Sequence, residues 1–118
     1  MEKVLVVDDE KDVLDILKMD LSDAGYQPLV ASNAHEALAI LKQNPKITAI
    51  VSDVRMPESD GKYLLEQLQK LHPHIHNIIM MTGFSEYPAE ELKKLGAKIV
   101  LDKPIVIEQL IKLIRRDS

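Results

Sequence analysis

The sequence predicts an α/β fold, a doubly wound parallel sheet of five strands with helices on both faces, and three observations support this. The chain has 118 residues, which is the length of one domain with one sizeable core. Five short β-branched, apolar runs alternate with five helical patterns along it. The connections between them are short and rich in turn residues, with no linker or repeat, so we expect a single domain over residues 1–118.

The five strand-like segments are hydrophobic almost without interruption. A strand that is covered by helices on both faces has this pattern, whereas a half-exposed strand alternates apolar and polar residues. The second segment contains Pro28, which cannot donate to a hydrogen-bond ladder and suits an edge strand. The predicted strands are 3–7, 27–31, 49–52, 77–81 and 98–101.

Amphipathic stripes with recognisable ends predict the helices. The first ends at Gly25 and the fourth at Gly96, two plausible left-handed residues after a helix, and the fourth has Pro88 near its start. Asn33 and Glu36 have the spacing of a capping box before the second helix. The third helix follows Gly61, and the last runs from about 106 to 115.

Composition excludes several classes of protein. Fifteen basic and nineteen acidic residues give a net charge of −4, so we expect no direct binding to nucleic acid. The longest apolar runs have four or five residues and the N-terminus lacks the apolar core of a signal peptide, so we expect no membrane segment. There is no cysteine, which is compatible with the reducing cytoplasm that we predict as the location.

Polar residues stand at the ends of four predicted strands, where open α/β sheets bind their ligands. Asp8 and Asp9 follow the first strand and Asp53 follows the third. Carboxylates gathered at one edge repel each other and need a cation, and oxygen ligands without histidine or cysteine suit Mg²⁺. Thr82 after the fourth strand and Lys103 after the fifth supply a hydroxyl and an ammonium that phosphoryl transfer uses.

Each of these residues alone has a simpler interpretation. An acidic pair after a strand often stabilises a helix N-terminus, and an aspartate before Met56-Pro57 is a common turn former. A lysine before a proline is usually a solvated loop charge. The four strand ends together make coincidence a poor explanation.

The chain resembles the receiver domains of response regulators over its whole length. The resemblance implies a flavodoxin-like sheet with strand order 2-1-3-4-5 and five helices. The motifs that carry it are VLVVDDE at the start, Asp53-Val54-Arg55-Met56-Pro57 leading to Gly61, MMTG with Thr82, Gly96-Ala97, and Lys103-Pro104, whose peptide bond is expected to be cis.

The resemblance also implies a role for each site residue. Asp53 is the expected phosphoacceptor, with Lys103 and Thr82 contacting the phosphoryl group. Mg²⁺ is expected to bind the carboxylates of Asp9 and Asp53, the backbone carbonyl of Arg55 and, mainly through water, Asp8. The backbone amides of Val54 and Gly83 are expected to assist in binding the phosphoryl oxygens.

The implied partners follow from this chemistry, and one position departs from the family pattern. A sensor histidine kinase, a phosphotransfer protein or a small phosphodonor would supply the phosphoryl group, and the output would pass to an effector domain or through a homodimer. Family members usually couple the threonine to an aromatic residue on the fifth strand, where this chain has Val100. We therefore expect the switch to operate through the fourth helix, or through Tyr87 or Phe84 in the adjoining loop.

Two other classes of function remain open from the sequence. The chain could be a receiver-like interaction module that never takes phosphate, although it retains all five site residues. It could also be a Mg²⁺-dependent phosphohydrolase with an aspartyl intermediate, although Val54 and Arg55 supply no second acid and 118 residues leave no room for a cap.

Overall fold

The computed structural model describes residues 2–55, 61–83 and 87–115 of the chain. Strands and helices alternate strictly over these residues, as predicted. In chain order they are β1 Lys3–Val7, α1 Lys11–Asp23, β2 Gln27–Ala31, α2 Ala34–Gln43, β3 Ala49–Asp53, α3 Gly61–Leu71, β4 Asn77–Thr82, α4 Ala89–Lys94, β5 Ile99–Asp102 and α5 Ile107–Arg115.

The five strands form one parallel sheet in the order β2-β1-β3-β4-β5, which confirms the predicted fold. Strand β2 lies at an edge of the sheet, with Pro28 opposite Val4 of β1. Proline is tolerated there because an edge strand has a neighbour on one side only, so its lack of an N–H donor interrupts no second ladder. The order reverses between β1 and β3, so the loops after these two strands leave the sheet on opposite faces. A crevice opens between them at the carboxyl ends of the strands.

The two faces of the sheet carry separate hydrophobic clusters. In β1, Leu5 and Val7 point into a cluster with α2, α3 and α4, whereas Val4 and Val6 point into a cluster with α1 and α5. Because both faces are covered, nearly every residue of the central strands is buried. This arrangement explains the continuous hydrophobicity of the strand segments.

The helix ends confirm most of the predicted signals. Gly25 and Gly96 have φ angles of +94° and +118°, the left-handed region that L side chains rarely adopt. The Asn33 side chain accepts a hydrogen bond from the Glu36 amide at 2.8 Å. The Glu36 carboxylate, however, accepts hydrogen bonds from the amide and the hydroxyl of Ser32, at 3.2 and 3.0 Å. It thus reaches one residue further back than the Asn33 amide that a capping box would use.

Strand boundaries differ from the predicted ones by one residue at several places. Strands β3 and β4 extend through Asp53 and Thr82, because the parallel ladder continues with Asp53 opposite Met81 and Thr82 opposite Asp102. These two site residues are therefore the last residues of strands and not the first residues of loops. Among the residues described, no helix is long and apolar enough to cross a membrane.

Candidate functional site

The predicted site residues meet at the carboxyl edge of the sheet. Asp8 directly follows β1, Asp53 ends β3, Thr82 ends β4 and Lys103 directly follows β5. Parallel strands deliver their last residues to the same edge, so four positions spread over 96 residues of sequence become neighbours. The Lys103 amide donates to the Thr82 carbonyl at 2.9 Å and fixes β5 beside β4 at this edge.

Lys103 lies between the two buried carboxylates. Its Nζ is 3.1 Å from Asp8 Oδ2 and 3.2 Å from Asp53 Oδ2, within hydrogen-bond distance of both. The Lys103–Pro104 peptide is cis, as the resemblance implied. The ammonium lies between Asp8 and Asp53 and partly neutralises their negative charge.

The two aspartates after β1 have different environments. Asp8 is completely buried, and its Oδ1 accepts a hydrogen bond from the Glu10 amide at 2.9 Å. Asp9 is exposed at the rim. The carboxylate oxygens of Asp8, Asp9 and Glu10 lie within 4.8 Å of one another, and Glu10 Oε1 is 3.9 Å from Lys103 Nζ.

Glu10 is the member of this acidic cluster that sequence reasoning missed. Its position directly after the aspartate pair was the available signal, but an acidic residue there is equally typical of a helix N-terminus. Only the turn that brings its amide back to Asp8 shows that its carboxylate belongs to the same group of oxygens.

The Asp53 carboxyl is nearly inaccessible, with 7% of the residue exposed. Burial and the negative charge of Asp8 raise the pKa of Asp53 above its ordinary value. Lys103 and the Val54 amide oppose this shift in the pKa without overcoming it. The structure thus holds a carboxylate at a net electrostatic cost, which is typical of functional sites.

The same contacts with Asp8 and Asp53 also change the pKa of Lys103. Burial acts to lower the pKa of its ammonium, but the hydrogen bond to Asp8 and the charges of Asp53 and Asp8 outweigh burial. The pKa of Lys103 is therefore raised above its ordinary value, and the side chain carries its positive charge throughout the physiological range of pH.

The Thr82 hydroxyl is buried without a hydrogen-bond partner among the parts of the chain that the structure describes. A buried hydroxyl normally has a partner, because leaving it unpaired costs about 1–3 kcal/mol. Gly83 beside it is exposed, and a Cβ at Gly83 would lie 3.7 Å from Lys103 Cδ. The Thr82–Gly83 end of β4 therefore adjoins the lysine that contacts Asp53.

Two further residues of the predicted set lie beside Asp53. The Val54 amide donates to the Met81 carbonyl at 3.0 Å and also interacts with the Asp53 carboxylate. This amide therefore already has hydrogen-bond partners in β4 and at Asp53. Arg55 is exposed. Met56 and Pro57 of the motif, and Phe84 of the expected switch region, lie outside the described residues.

Val100, the position of the expected aromatic residue, is half-buried in β5. It pairs with Met80 and packs against the cluster that α2, α3 and α4 cover. Tyr87, in the segment before α4, packs against the same cluster. An aromatic ring is thus present on this face, although not on the strand where the family usually has it.

Comparison with known proteins shows the class to which this fold and site belong. The family model described as "Response regulator receiver domain" matches residues 4–115. The chain therefore belongs to the response regulator receiver domains, the signalling domains of two-component systems.

The relatives are both free-standing domains and parts of longer regulators. A "putative response regulator NtrX-like" of Rickettsia bellii is 35% identical over 115 residues, which is 96% of this chain and 24% of that protein. The DNA-binding transcriptional regulator NtrC of Salmonella typhimurium is also 35% identical and is matched over 24% of its length. The chain thus spans about a quarter of the length of these regulators.

Solved structures agree with this assignment. A response regulator receiver domain protein from Clostridium thermocellum has a TM-score of 0.92 and 32% identity, with 98% of this chain and 93% of that chain covered. The receiver domain of NtrX from Brucella abortus has a TM-score of 0.86 and 31% identity, covering 96% and 95% of the two chains.

Proposed function

We propose that this chain is a phosphorylation-activated switch that takes a phosphoryl group onto Asp53 in a Mg²⁺-dependent reaction. The observation that carries the proposal is the single ammonium of Lys103 held at 3.1 and 3.2 Å from two buried carboxylates, Asp8 and Asp53. A structural ion pair needs one carboxylate. A second buried carboxylate raises the electrostatic cost, and a phosphoryl-transfer site gives it a use.

Asp53 is the proposed nucleophile, because it retains some exposure at the end of β3 whereas Asp8 is completely buried. An Asp53 oxygen would form the new bond to phosphorus as the bond from phosphorus to the donor imidazole nitrogen breaks, and the donor ring, protonated at its other nitrogen, would leave as neutral imidazole. Lys103, which already contacts Asp53, would stabilise the negative charge on the oxygens of the transferred phosphoryl group. Autodephosphorylation, in which water attacks the same phosphorus, would use the same contacts.

Magnesium fits the residues that surround this pocket. The expected donors are all oxygens, the carboxylates of Asp8, Asp9 and Asp53 and the backbone carbonyl of Arg55, and Mg²⁺ prefers such hard oxygens. When bound, the ion would neutralise charge on the carboxylates and on the phosphoryl oxygens. The exposure of Asp9 against the complete burial of Asp8 supports direct binding by Asp9 and an indirect role for Asp8.

Thr82 would bind a phosphoryl oxygen once that group is present. Its hydroxyl, which has no partner within the described ranges, would be the donor, and the amides of Gly83 and Val54 would add further hydrogen bonds. The threonine would therefore gain in the phosphorylated state the hydrogen bond that it lacks in the described structure.

A sensor histidine kinase or a phosphotransfer protein is the proposed donor, because a phosphohistidine supplies the group that this site accepts. The whole protein's output is also a proposal. The longer relatives include a DNA-binding transcriptional regulator, and a solved relative is a beryllofluoride-activated NtrC4 receiver domain dimer, with 33% identity and a TM-score of 0.87. An effector domain or a homodimer is the corresponding proposal here.

Incubation with acetyl phosphate tests the proposed function directly. We expect the intact mass to increase by one phosphoryl group only when Mg²⁺ is present, and we expect Asp53→Asn to abolish the increase. Asp15→Asn is the matched control, since Asp15 is an exposed aspartate of α1 away from the strand ends. A wild-type protein that binds Mg²⁺ but gains no mass from either acetyl phosphate or a kinase would be a phosphate-independent module.

Thr82→Val separates the functional role of the hydroxyl from a structural one. Because valine has nearly the same shape and the hydroxyl has no partner among the described residues, we expect the free energy of unfolding to stay within about 1 kcal/mol of wild type or to rise. Phosphorylation by acetyl phosphate should nevertheless slow by roughly tenfold or more. Thr82→Ser, which keeps the hydroxyl, should retain most of the rate. A large loss of stability in Thr82→Val with an unchanged rate would contradict the assignment.

A further inference from the structure

The start of α4 is held to α3 by a lysine outside the proposed phosphorylation site. Lys62 Nζ lies 3.3 Å from Glu91 Oε1, in the first turn of α4. The same ammonium lies 5.2 Å from the centre of the Tyr87 ring, in the segment that leads into α4. One side chain of α3 therefore contacts the fourth helix and the segment before it.

Helix α4 is short and offers little buried surface among the described residues. It is six residues long, and Leu92 is its buried residue. A short helix with one buried apolar side chain opens locally at a low free energy, so individual surface contacts change its population measurably. In a long, well-packed helix the same contacts would have little effect.

The backbone just before Lys62 is in close contact with the backbone at Asp53. Gly61, the preceding residue, donates its amide to the Val54 carbonyl at 2.7 Å. A Cβ on Gly61 would lie only 2.8 Å from the Asp53 carbonyl oxygen, so the backbones at Asp53 and Gly61 are in close contact. A rearrangement of the backbone at Asp53 would therefore also displace the start of α3, which carries Lys62.

The other end of the contact, Tyr87, is close in sequence to Thr82. Tyr87 follows Thr82 by five residues and packs against the same cluster as Val100. Val100 has neither a ring nor a hydroxyl that could respond to the position of Thr82. Tyr87 is an aromatic ring close in sequence to Thr82, and its face is engaged by Lys62.

We propose that Lys62 is a clamp that holds Tyr87 and Glu91, and with them the start of α4, and that phosphorylation of Asp53 releases it. This inference rests on the proposed function, because the proposed trigger is the modification of Asp53. The contact of Lys62 with Tyr87 and Glu91 would take the place of the usual coupling between the threonine and an aromatic residue of β5, where this chain has Val100.

Hydrogen exchange at α4 tests the clamp. The reporters are the amides of Leu92 and Leu95, which donate to the carbonyls of Pro88 and Glu91. Lys62→Met removes the charge and keeps most of the apolar stem. We expect it to accelerate exchange of these two amides by roughly two- to fivefold, as partly exposed ion-pair and cation–π contacts allow. Lys70→Met, on the same helix but roughly 12 Å further along it, is the control and should match wild type.

A double-mutant cycle assigns the effect to the contact itself. Glu91→Gln should also accelerate exchange, and the Lys62→Met/Glu91→Gln variant should exchange more slowly than the product of the two single effects predicts. Multiplicative effects, an unchanged rate in Lys62→Met, or equal acceleration in all strands of the sheet would each overturn the clamp.

Beryllofluoride with Mg²⁺ tests the trigger. We expect it to accelerate exchange at Leu92 and Leu95 in wild type and to add little in Lys62→Met. If wild type takes up a phosphoryl group on Asp53 but beryllofluoride leaves these amides unchanged, the clamp is not the switch and the proposed function stands. If Asp53 takes up no phosphoryl group, the proposed function fails, and the release of the clamp by phosphorylation fails with it.

Discussion

Gly61→Ala is expected to lower the free energy of unfolding by about 2 kcal/mol, because the added methyl group has no space. A Cβ at Gly61 would lie 2.5 Å from Met80 Cε, 2.8 Å from the Asp53 carbonyl oxygen and 2.9 Å from Val54 Cα. The flexible methionine can move, but the two backbone atoms belong to the strand end that carries Asp53, the proposed phosphoacceptor. The gain in helix propensity of alanine over glycine, up to about 1 kcal/mol, offsets only part of this cost.

Denaturant and thermal melts measure the effect, and a second glycine provides the control. The expected decrease in melting temperature is roughly 8 °C for a domain of this size. Among the described residues, a new Cβ at Gly83 would meet the Lys103 side chain, at 3.7 Å, which is an ordinary contact. Gly83→Ala should therefore stay within about 0.5 kcal/mol of wild type. Equal melting temperatures for the two variants would show that the backbone at Asp53 yields easily.

Lys103→Met is expected to have the largest effect on phosphorylation among substitutions that keep the nucleophile. Methionine fills similar space but leaves Asp8 and Asp53 without the ammonium that lies between them. Loss of one group that stabilises the transferred phosphoryl oxygens typically slows a reaction by about 10²-fold or more. Initial rates of mass increase with acetyl phosphate measure this loss, and Lys18→Met, an exposed lysine of α1, is the control.

The same variant is expected to lose stability in a pH-dependent way. At pH 7 without Mg²⁺ the loss should be about 2 kcal/mol, below the 3–5 kcal/mol of a fully buried pair because the lysine is partly exposed. The pKa of Asp53 is already raised above its unfolded value, so the ionisation of Asp53 costs stability above pH 3.8. Removing Lys103 increases that cost.

The difference between Lys103→Met and wild type should therefore shrink as the pH falls through the raised pKa of folded Asp53 and that carboxyl binds its proton, leaving the part that the contact of Lys103 with Asp8 contributes. At high pH it should shrink again. The raised pKa of Lys103 means that its stabilising contribution is complete below pH 10.5 and is lost as the pH rises through the higher folded pKa. A difference that stays constant from pH 4 to pH 7 in denaturant melts would contradict this account.

The sequence by itself determined the fold class and most of the site. Continuous apolar strands alternating with amphipathic helices are local patterns, and each is readable without knowledge of the partner element. The strand-end rule then placed Asp8, Asp53, Thr82 and Lys103 at one edge, because every parallel strand delivers its last residue there. The order of the strands came from the family resemblance rather than from any local pattern.

Tertiary structure alone decided which groups touch. Asp8 and Asp9 are adjacent and identical in sequence, yet one is buried against Lys103 and the other is exposed, because successive residues at the end of a strand point in different directions. The contact from Lys62 to Tyr87 and Glu91 depends on how α3 and α4 pack on the same face of the sheet. Such contacts join residues that are distant along the chain, and their distances are set by packing, which no local pattern encodes.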